Sequence, residues 1–297
     1  MITHGKPAAE IEIDERAAQA LLHDQHPDLA TLPLRHVDSG WDNVMFRLGD
    51  ELALRFPRRK IAAALIEHEQ TWLPAVAGSL PLPVPVPLRV GQPGRGYPWR
   101  WSVLPWLTGT TADECNPCGD QAGIFGEFLA ALHRPAPPDA PRNPYRGVPL
   151  RSRMDETMAG RIRAVATNTS LLTPRIMEIW NEALAAPIDV EDTWIHGDPH
   201  PGNLLVHEGR ITGVIDWGDM AAGDRATDLA SIWMTFESVE ARRTAMDRCG
   251  LVSEATWVRA KGWAVFYGIT FTAYALANEP RYATLGKQIF QRVLTGP

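Results

Sequence analysis

Residues 192–219 read DTWIHGDPHPGNLLVHEGRITGVIDWGD, and no other stretch restricts the possible folds of this chain as sharply. Residues 193–196 form a short apolar run that enters His-Gly-Asp. Residues 203–206 and 211–215 are two further β-rich runs joined through Glu208-Gly209, so the segment predicts a strand, a loop and a hairpin. With Glu208 and Gly209 as the central turn residues, His207 pairs with Arg210 and Asn203 falls opposite Val214, two residues from Asp216. Asn203 and Asp216 then open on one end of the hairpin, and the loop 197–202 delivers Asp198 to the same end. Two carboxylates and one amide oxygen converge there, a donor set that suits a hard cation.

Phosphoryl transfer needs such a set: one Asp accepts the proton of the attacking hydroxyl, while an Asn and a second Asp hold Mg2+ on the triphosphate. The spacing His196-Gly197-Asp198, Asn203, then Ile215-Asp216-Trp217 resembles the H-G-D-x-x-x-x-N and I-D-W/F motifs of the aminoglycoside phosphotransferase family of small-molecule kinases. Either motif alone would be weak; together they agree with the strand, loop and hairpin read from the residues. The resemblance implies an α+β, bilobal, protein-kinase-like fold, with an N-terminal antiparallel sheet lobe and a mostly helical C-terminal lobe. It also implies Asp198 as catalytic base, Asn203 and Asp216 as metal ligands, and His196 as a brace for the loop. A rival reading gives His196, Asp198 and His200 to zinc as a metal-dependent hydrolase. No second cluster at ligand spacing accompanies them, so His200 is expected to be a loop residue beside the site.

The remaining chain is consistent with that plan. A helix is expected over 10–26, then an antiparallel meander of strands at 32–37, 44–48 and 51–56. The connection 38–43 holds the position of the nucleotide-covering loop in kinase-like folds, where Ser39 and Gly40 would let backbone N–H groups approach phosphate. In the third strand Arg55 alternates with the apolar set Leu52, Leu54 and Phe56. It stands where the family carries Lys. Either it reaches the α- and β-phosphates, for which a guanidinium is competent, or it is a solvated strand residue. By the resemblance, Glu69 on a helix over 61–76 pairs that cation, with Glu67 solvated. Residues 79–87 are too rich in proline for a central strand. A strand over 97–107 leads to a hinge at 103–106, where the backbone of Val103, Leu104 and Trp106 would meet the edge of an adenine or guanine. Lobes of 1–105 for nucleotide binding and 106–297 for catalysis and substrate binding are expected. In the second, helices are predicted at 119–133, 154–165, 174–185, 224–240, 254–278 and 280–294, with a Pro-rich loop at 135–149. Asp224 is placed as an N-cap and Asp228 as a structural carboxylate under the motif loop.

Composition bounds the rest. The chain has 297 residues, 45% hydrophobic and 22% charged, enough for a large core. Its net charge is −6 and the acid excess lies in 106–297, which argues against nucleic acid and would favour a cationic small substrate, although a solvated acidic surface explains the same count. Three cysteines cannot build a disulfide framework, so reduced thiols are expected. The opening MITHGKPAAEIEIDE has no secretory pattern, which predicts a cytoplasmic protein. The longest uncharged apolar run, 263–277, has 15 residues and is too short to span a membrane. The expected activity is ATP- or GTP-dependent O-phosphotransfer to a small hydroxylated molecule, an antibiotic such as an aminoglycoside by family inference. A kinase of a choline-, homoserine- or sugar-like alcohol is the alternative, ahead of a nucleotide-binding protein without turnover. The motifs do not choose the acceptor.

Overall fold

The computed structural model describes residues 8–277 and 279–296. The first seven residues of the supposed signal-free opening, Asn278 at the expected end of a helix, and Pro297 lie outside the described residues. The chain divides into two compact units: the first runs to Gly78 and takes in Pro83–Thr108, while the second holds Ser79–Leu82 and everything from Gly109 onward.

In the first unit α1 (Glu15–Gln25) starts at Asp14, whose carboxylate accepts the Ala17 N–H at 2.7 Å and satisfies a donor the helix itself cannot. Strands β1 (Leu34–Ser39), β2 (Asn43–Leu48) and β3 (Leu52–Pro57), helix α2 (Lys60–Ala77), and strands β4 (Arg89–Gly91) and β5 (Trp101–Pro105) follow. The sheet is antiparallel throughout, in the order β1-β2-β3-β5-β4. Its strands alternate as a half-buried sheet should on β2, but β3 is buried from Ala53 to Phe56, so both of its faces are covered. Phe56 stacks on Trp101 at 4.9 Å and meets Phe46 edge-on at 6.0 Å, the centre of this core. The strand expected over 97–107 is shorter than its aromatic pattern suggested, because Tyr97 turns back to bond Gly94 in both directions.

The second unit carries β6 (Thr110–Thr111), α3 (Ala122–Leu132), α4 (Glu156–Asn168), α5 (Pro174–Ala185), β7 (Thr193–Ile195), β8 (Leu204–His207), β9 (Arg210–Val214) and β10 (Ala221–Gly223). Helices α6 (Ala226–Leu229), α7 (Ser231–Thr235), α8 (Val239–Arg248), α9 (Glu254–Leu276) and α10 (Arg281–Leu294) complete it. The helix expected over 224–240 is three. The chain leaves helical geometry at Phe236, and Ser238 restarts it by capping the Ala241 N–H at 3.0 Å. Asp224 accepts from Ala226 N at 3.1 Å as a cap would, yet its carboxylate is chiefly held by Arg259, Nε–Oδ2 2.7 Å and Nη2–Oδ1 3.1 Å, both side chains buried. Helix α9 is buried around nearly its whole circumference between Thr256 and Ala273. Among the described residues no helix is long and apolar enough to cross a membrane.

The hairpin β8–β9 turns at Glu208 and Gly209, with φ of 50° and 77°, the paired positive values of a tight turn whose twist matches its strands. His207 pairs with Arg210 as expected. A bulge between Leu205 and Val206 then shifts the register, so Leu204, not Asn203, lies opposite Val214. Asn203 drops out of the strand into a single 3-10 turn, and its carbonyl accepts the Ile215 N–H at 2.9 Å.

Candidate functional site

In the first unit Arg55 is 5% exposed and Glu69 is fully buried; Arg55 Nη1 reaches Glu69 Oε2 at 2.5 Å. With the Asn43 amide turned so that its oxygen faces the guanidinium, it accepts from Nε and Nη2, both at 3.2 Å. Arg55 is therefore not a solvated strand residue: it is fixed on two sides by side chains from β2 and α2. The loop between β1 and β2 is pinned by Gly40 N to Asn43 O at 2.8 Å and by Arg58 Nη1 to Gly40 O at 2.9 Å. A Cβ at Gly40 would meet only the Asn43 carbonyl, at 3.6 Å, so there is room beside Gly40. At the expected hinge, Val103 and Leu104 are buried in β5. The Val103 carbonyl is taken by Leu88 N at 2.8 Å and the Trp106 N–H by Glu51 O at 2.7 Å. Those two backbone groups serve the sheet.

In the second unit the His-Gly-Asp turn is built on Asp228, a fully buried carboxylate from α6. Its Oδ2 accepts His196 N at 2.7 Å, its Oδ1 accepts Gly197 N at 2.9 Å, and His133 Nε2 stands 3.2 Å from Oδ2. His196 Nδ1 accepts the Asp198 N–H at 3.2 Å, which leaves Nε2 as the donor to Ile215 O at 3.0 Å. Both ring nitrogens are thereby engaged within the protein, and the zinc reading loses its first ligand. Among the described residues no three His, Cys, Asp or Glu side chains form a metal-holding cluster. Gly197 has φ of 89°, and a Cβ there would lie 2.6 Å from the Asp219 carbonyl, so only glycine permits this turn.

The turn exposes Asp198 in a defined pose. Tyr267 of α9 donates its hydroxyl to Oδ1 at 2.9 Å, Arg146 Nη2 lies 3.1 Å from Oδ2, and His200 Nε2 is 3.8 Å from Oδ2. Asn203 Nδ2 donates to the Asp198 carbonyl at 2.9 Å, a bond that does not use the amide oxygen. Asp216 is exposed at the end of the hairpin in left-handed geometry, φ 62° and ψ 67°, and its charge acts on both His200 and Asp219. Asn203 is thus bonded to the Asp198 loop, and Asp216 lies near enough for its charge to act on His200 beside Asp198. One carboxylate and one amide oxygen beside Asp198 match the sparse oxygen ligation of Mg2+, which keeps waters and substrate phosphates in its shell.

Arg146 and Tyr267 escaped the sequence reading. Arg146 lies in the Pro-rich loop and bridges Asp198 to Asp219, Nε to Oδ2 3.4 Å. Asn143 sets it there: its Oδ1 accepts Tyr145 N at 2.8 Å and Arg146 N at 3.2 Å, while Nδ2 donates to Asp219 Oδ1 at 2.7 Å. Asn143-Pro144 is a turn-initiating pair, the one local signal available. Burial opposes the Asp198 charge, but the Arg146 guanidinium, His200 and the Tyr267 hydroxyl outweigh it and hold the carboxyl below the usual range. Burial, with Asp198 nearby, pushes Asp219 the other way. Two carboxylates flank one guanidinium, and their titrations are driven apart.

The model of the phosphotransferase enzyme family matches residues 33–263. The chain belongs to that family. As a phosphotransferase it is an enzyme that transfers phosphate to a hydroxyl group. Its fold is shared with the GDP and kanamycin complex of the aminoglycoside phosphotransferase APH(2'')-IIia, at 16% identity, TM-score 0.63, over 94% of this chain and 98% of that one. It is also shared with macrolide 2'-phosphotransferase MphH from Brachybacterium faecium, at 21% identity and TM-score 0.58, over 92% and 97%. The ADP-bound aminoglycoside phosphotransferase APH(2'')-Ib matches at 17% identity and TM-score 0.58, over 96% and 98%. No curated protein sequence matches the chain. These likenesses establish the kinase-like α+β fold of the phosphotransferase, with the five-stranded sheet in the first unit and most helices in the second.

Proposed function

We propose that the chain transfers the terminal phosphoryl group of ATP or GTP to a hydroxyl of a small molecule, with Asp198 as the base. The observation that carries this reading is the pose of Asp198, oriented by Tyr267 and Arg146 and joined through its own carbonyl to Asn203. In this scheme the acceptor hydroxyl lies against the Asp198 carboxylate and passes its proton there as the phosphoryl group leaves the nucleotide. Asn203 and Asp216 would hold Mg2+, which would neutralise charge on the phosphates. In the first unit Arg55, steadied by Glu69 and Asn43, grips the phosphates, and Ser39 and Gly40 cover them. The structural relatives include GDP and ADP complexes, which supports a nucleotide co-substrate and leaves the base open. One relative is a kanamycin complex and another is a macrolide 2'-phosphotransferase, which supports a small antibiotic-like acceptor whose identity depends on side chains outside the motifs.

The test is nucleotide consumption coupled to a panel of hydroxylated acceptors, repeated with Asp198→Asn. The variant should bind Mg-nucleotide like the parent and turn over more slowly by about a hundredfold or more, the scale of a positioned base. Undiminished turnover would remove Asp198 from its role.

A further inference from the structure

Arg146 is one of three guanidiniums that the second unit gathers against α9. Arg146 lies 5.6 Å from the Tyr267 ring, Arg153 5.6 Å from Phe266 and 4.9 Å from Tyr145, and Arg161 5.0 Å from Tyr274. Phe266, Tyr267, Thr270 and Tyr274 recur at helical spacing and form one stripe of α9. The wall therefore begins at the Tyr267 hydroxyl that orients Asp198 and continues along the same helix.

The three arginines differ in how their charge is met. Arg146 is flanked by Asp198 and Asp219. Arg161 bonds only neutral oxygens, Thr270 Oγ1 at 3.4 Å and Tyr274 OH at 3.1 Å. Arg153 lies on aromatic rings, and its buried Nε has no hydrogen-bond partner. Among the described residues neither Arg153 nor Arg161 has a carboxylate within ion-pair distance, although both are half-buried. Burial pulls the Arg153 pKa down, Asp155 raises it, and the charges of Arg146 and Arg161 add to the lowering. Two partly desolvated cations on one face of α9, neither with a carboxylate at ion-pair distance among the described residues, cost free energy that an oxyanion would return. The carboxylates that meet the wall, Asp198 and Asp219, pair with Arg146.

We propose that the acceptor bears an anionic oxygen group, a carboxylate or a phosphate ester, which docks on Arg153 and Arg161 while its hydroxyl faces Asp198. This rests on the reading of Asp198 as the base. Arg153 lies on Phe266, and Arg161 meets Thr270 and Tyr274, four and eight residues farther along α9, about 6 to 12 Å at the helical rise. A molecule of one ring fits that span, and the exposed Tyr145 flanks it.

The experiment uses four probes on one hexose scaffold: glucuronate, glucose 6-phosphate, glucose and glucosamine. Each is titrated into the full chain with Mg-nucleotide, and both nucleotide consumption and probe binding are measured. At least one of the two anionic probes should act or bind at a concentration tenfold or more below glucose and glucosamine, and which one does so distinguishes carboxylate from phosphate. The preference should vanish in Arg153→Gln/Arg161→Gln with the nucleotide KM unchanged, and persist in Arg163→Gln, an exposed arginine of α4 outside the wall. If the double variant does not fold, Arg161→Lys replaces it and should weaken the same preference through loss of the planar fork. Equal response to all four probes, glucosamine ahead of the anions, or a preference that survives the arginine replacements would overturn the proposal. Loss of Mg-nucleotide binding or of Asp198-dependent consumption in the parent chain would instead overturn the assignment of the base.

Discussion

Arg55 illustrates what alternation along a strand can and cannot tell. Its position opposite the apolar set was legible, but its burial was not, because β3 is covered on both faces and the partners that make burial tolerable, Glu69 and Asn43, come from other elements. A guanidinium satisfied at Nη1 by one group and at Nε and Nη2 by another is not replaced by an ammonium. Arg55→Lys should therefore lower the melting temperature and raise the nucleotide KM even though charge is kept, with the acceptor KM nearly constant. Saturation curves in both substrates decide it; an unchanged nucleotide KM would leave Arg55 a purely structural cation. Tyr267 presents the opposite case, since nothing in the apolar run 263–277 marks one tyrosine as the donor to Asp198. Tyr267→Phe keeps the ring against Arg146 and removes a hydrogen bond to a charged group, a contact of about 1.5–3 kcal/mol. Turnover should fall roughly tenfold or more with little change in stability, read from kcat beside a thermal melt.

At the level of elements, the hairpin was legible because its turn chemistry is local, and its register was not because the bulge between Leu205 and Val206 departs from the pairing that the turn alone fixes. Glu208-Gly209 fixes His207 against Arg210, but the extra residue Thr212 moves Asn203 one place along, which puts its carbonyl on Ile215 and its side chain on the Asp198 loop. The tip of that hairpin also meets Cys118: a Cβ at Gly209 would lie 2.4 Å from its sulfur, on top of the left-handed φ. Gly209→Val should destabilise the second unit by about 2–4 kcal/mol, the combined scale of backbone strain and overpacking. A wild-type denaturation midpoint would contradict that. The cysteines themselves separate by environment. Cys115 and Cys118 are exposed, while burial pushes the Cys249 thiol up to about 12, so its thiolate is scarce at neutral pH. Alkylation of the native chain at pH 8, followed by mass spectrometry, should modify Cys115 and Cys118 and spare Cys249 until the chain is unfolded.

Across the whole molecule, the parts of the site that lie within one continuous stretch could be read, and the parts assembled from distant stretches could not. Residues 193–219 contain Asp198, Asn203 and Asp216 together, whereas Arg146 and Tyr267 reach the same loop from separate segments whose local patterns speak only of loops and helices; Asp228, also distant, was placed by the family resemblance and not by its local pattern. Asp224 shows how this limit misleads. Its position before a helical pattern suggested a cap, and its stronger partner, Arg259, stands 35 residues on in α9. Arg259 also reaches Asp189 Oδ1 at 3.2 Å and the Pro187 carbonyl, so one guanidinium ties the start of α6, the approach to β7 and the helix that carries Tyr267. Removing the carboxylate alone leaves a buried cation with only its lesser partners, a loss of about 3–5 kcal/mol. Asp224→Ala should therefore lower the denaturation midpoint of the second unit and, by loosening α9, lower turnover as well. Arg259→Met in the same chain removes the stranded charge and should recover part of the stability but not the activity. If Asp224→Ala is as stable as the parent, or if the second replacement destabilises it further, the pair does not anchor α9 to the motif loop.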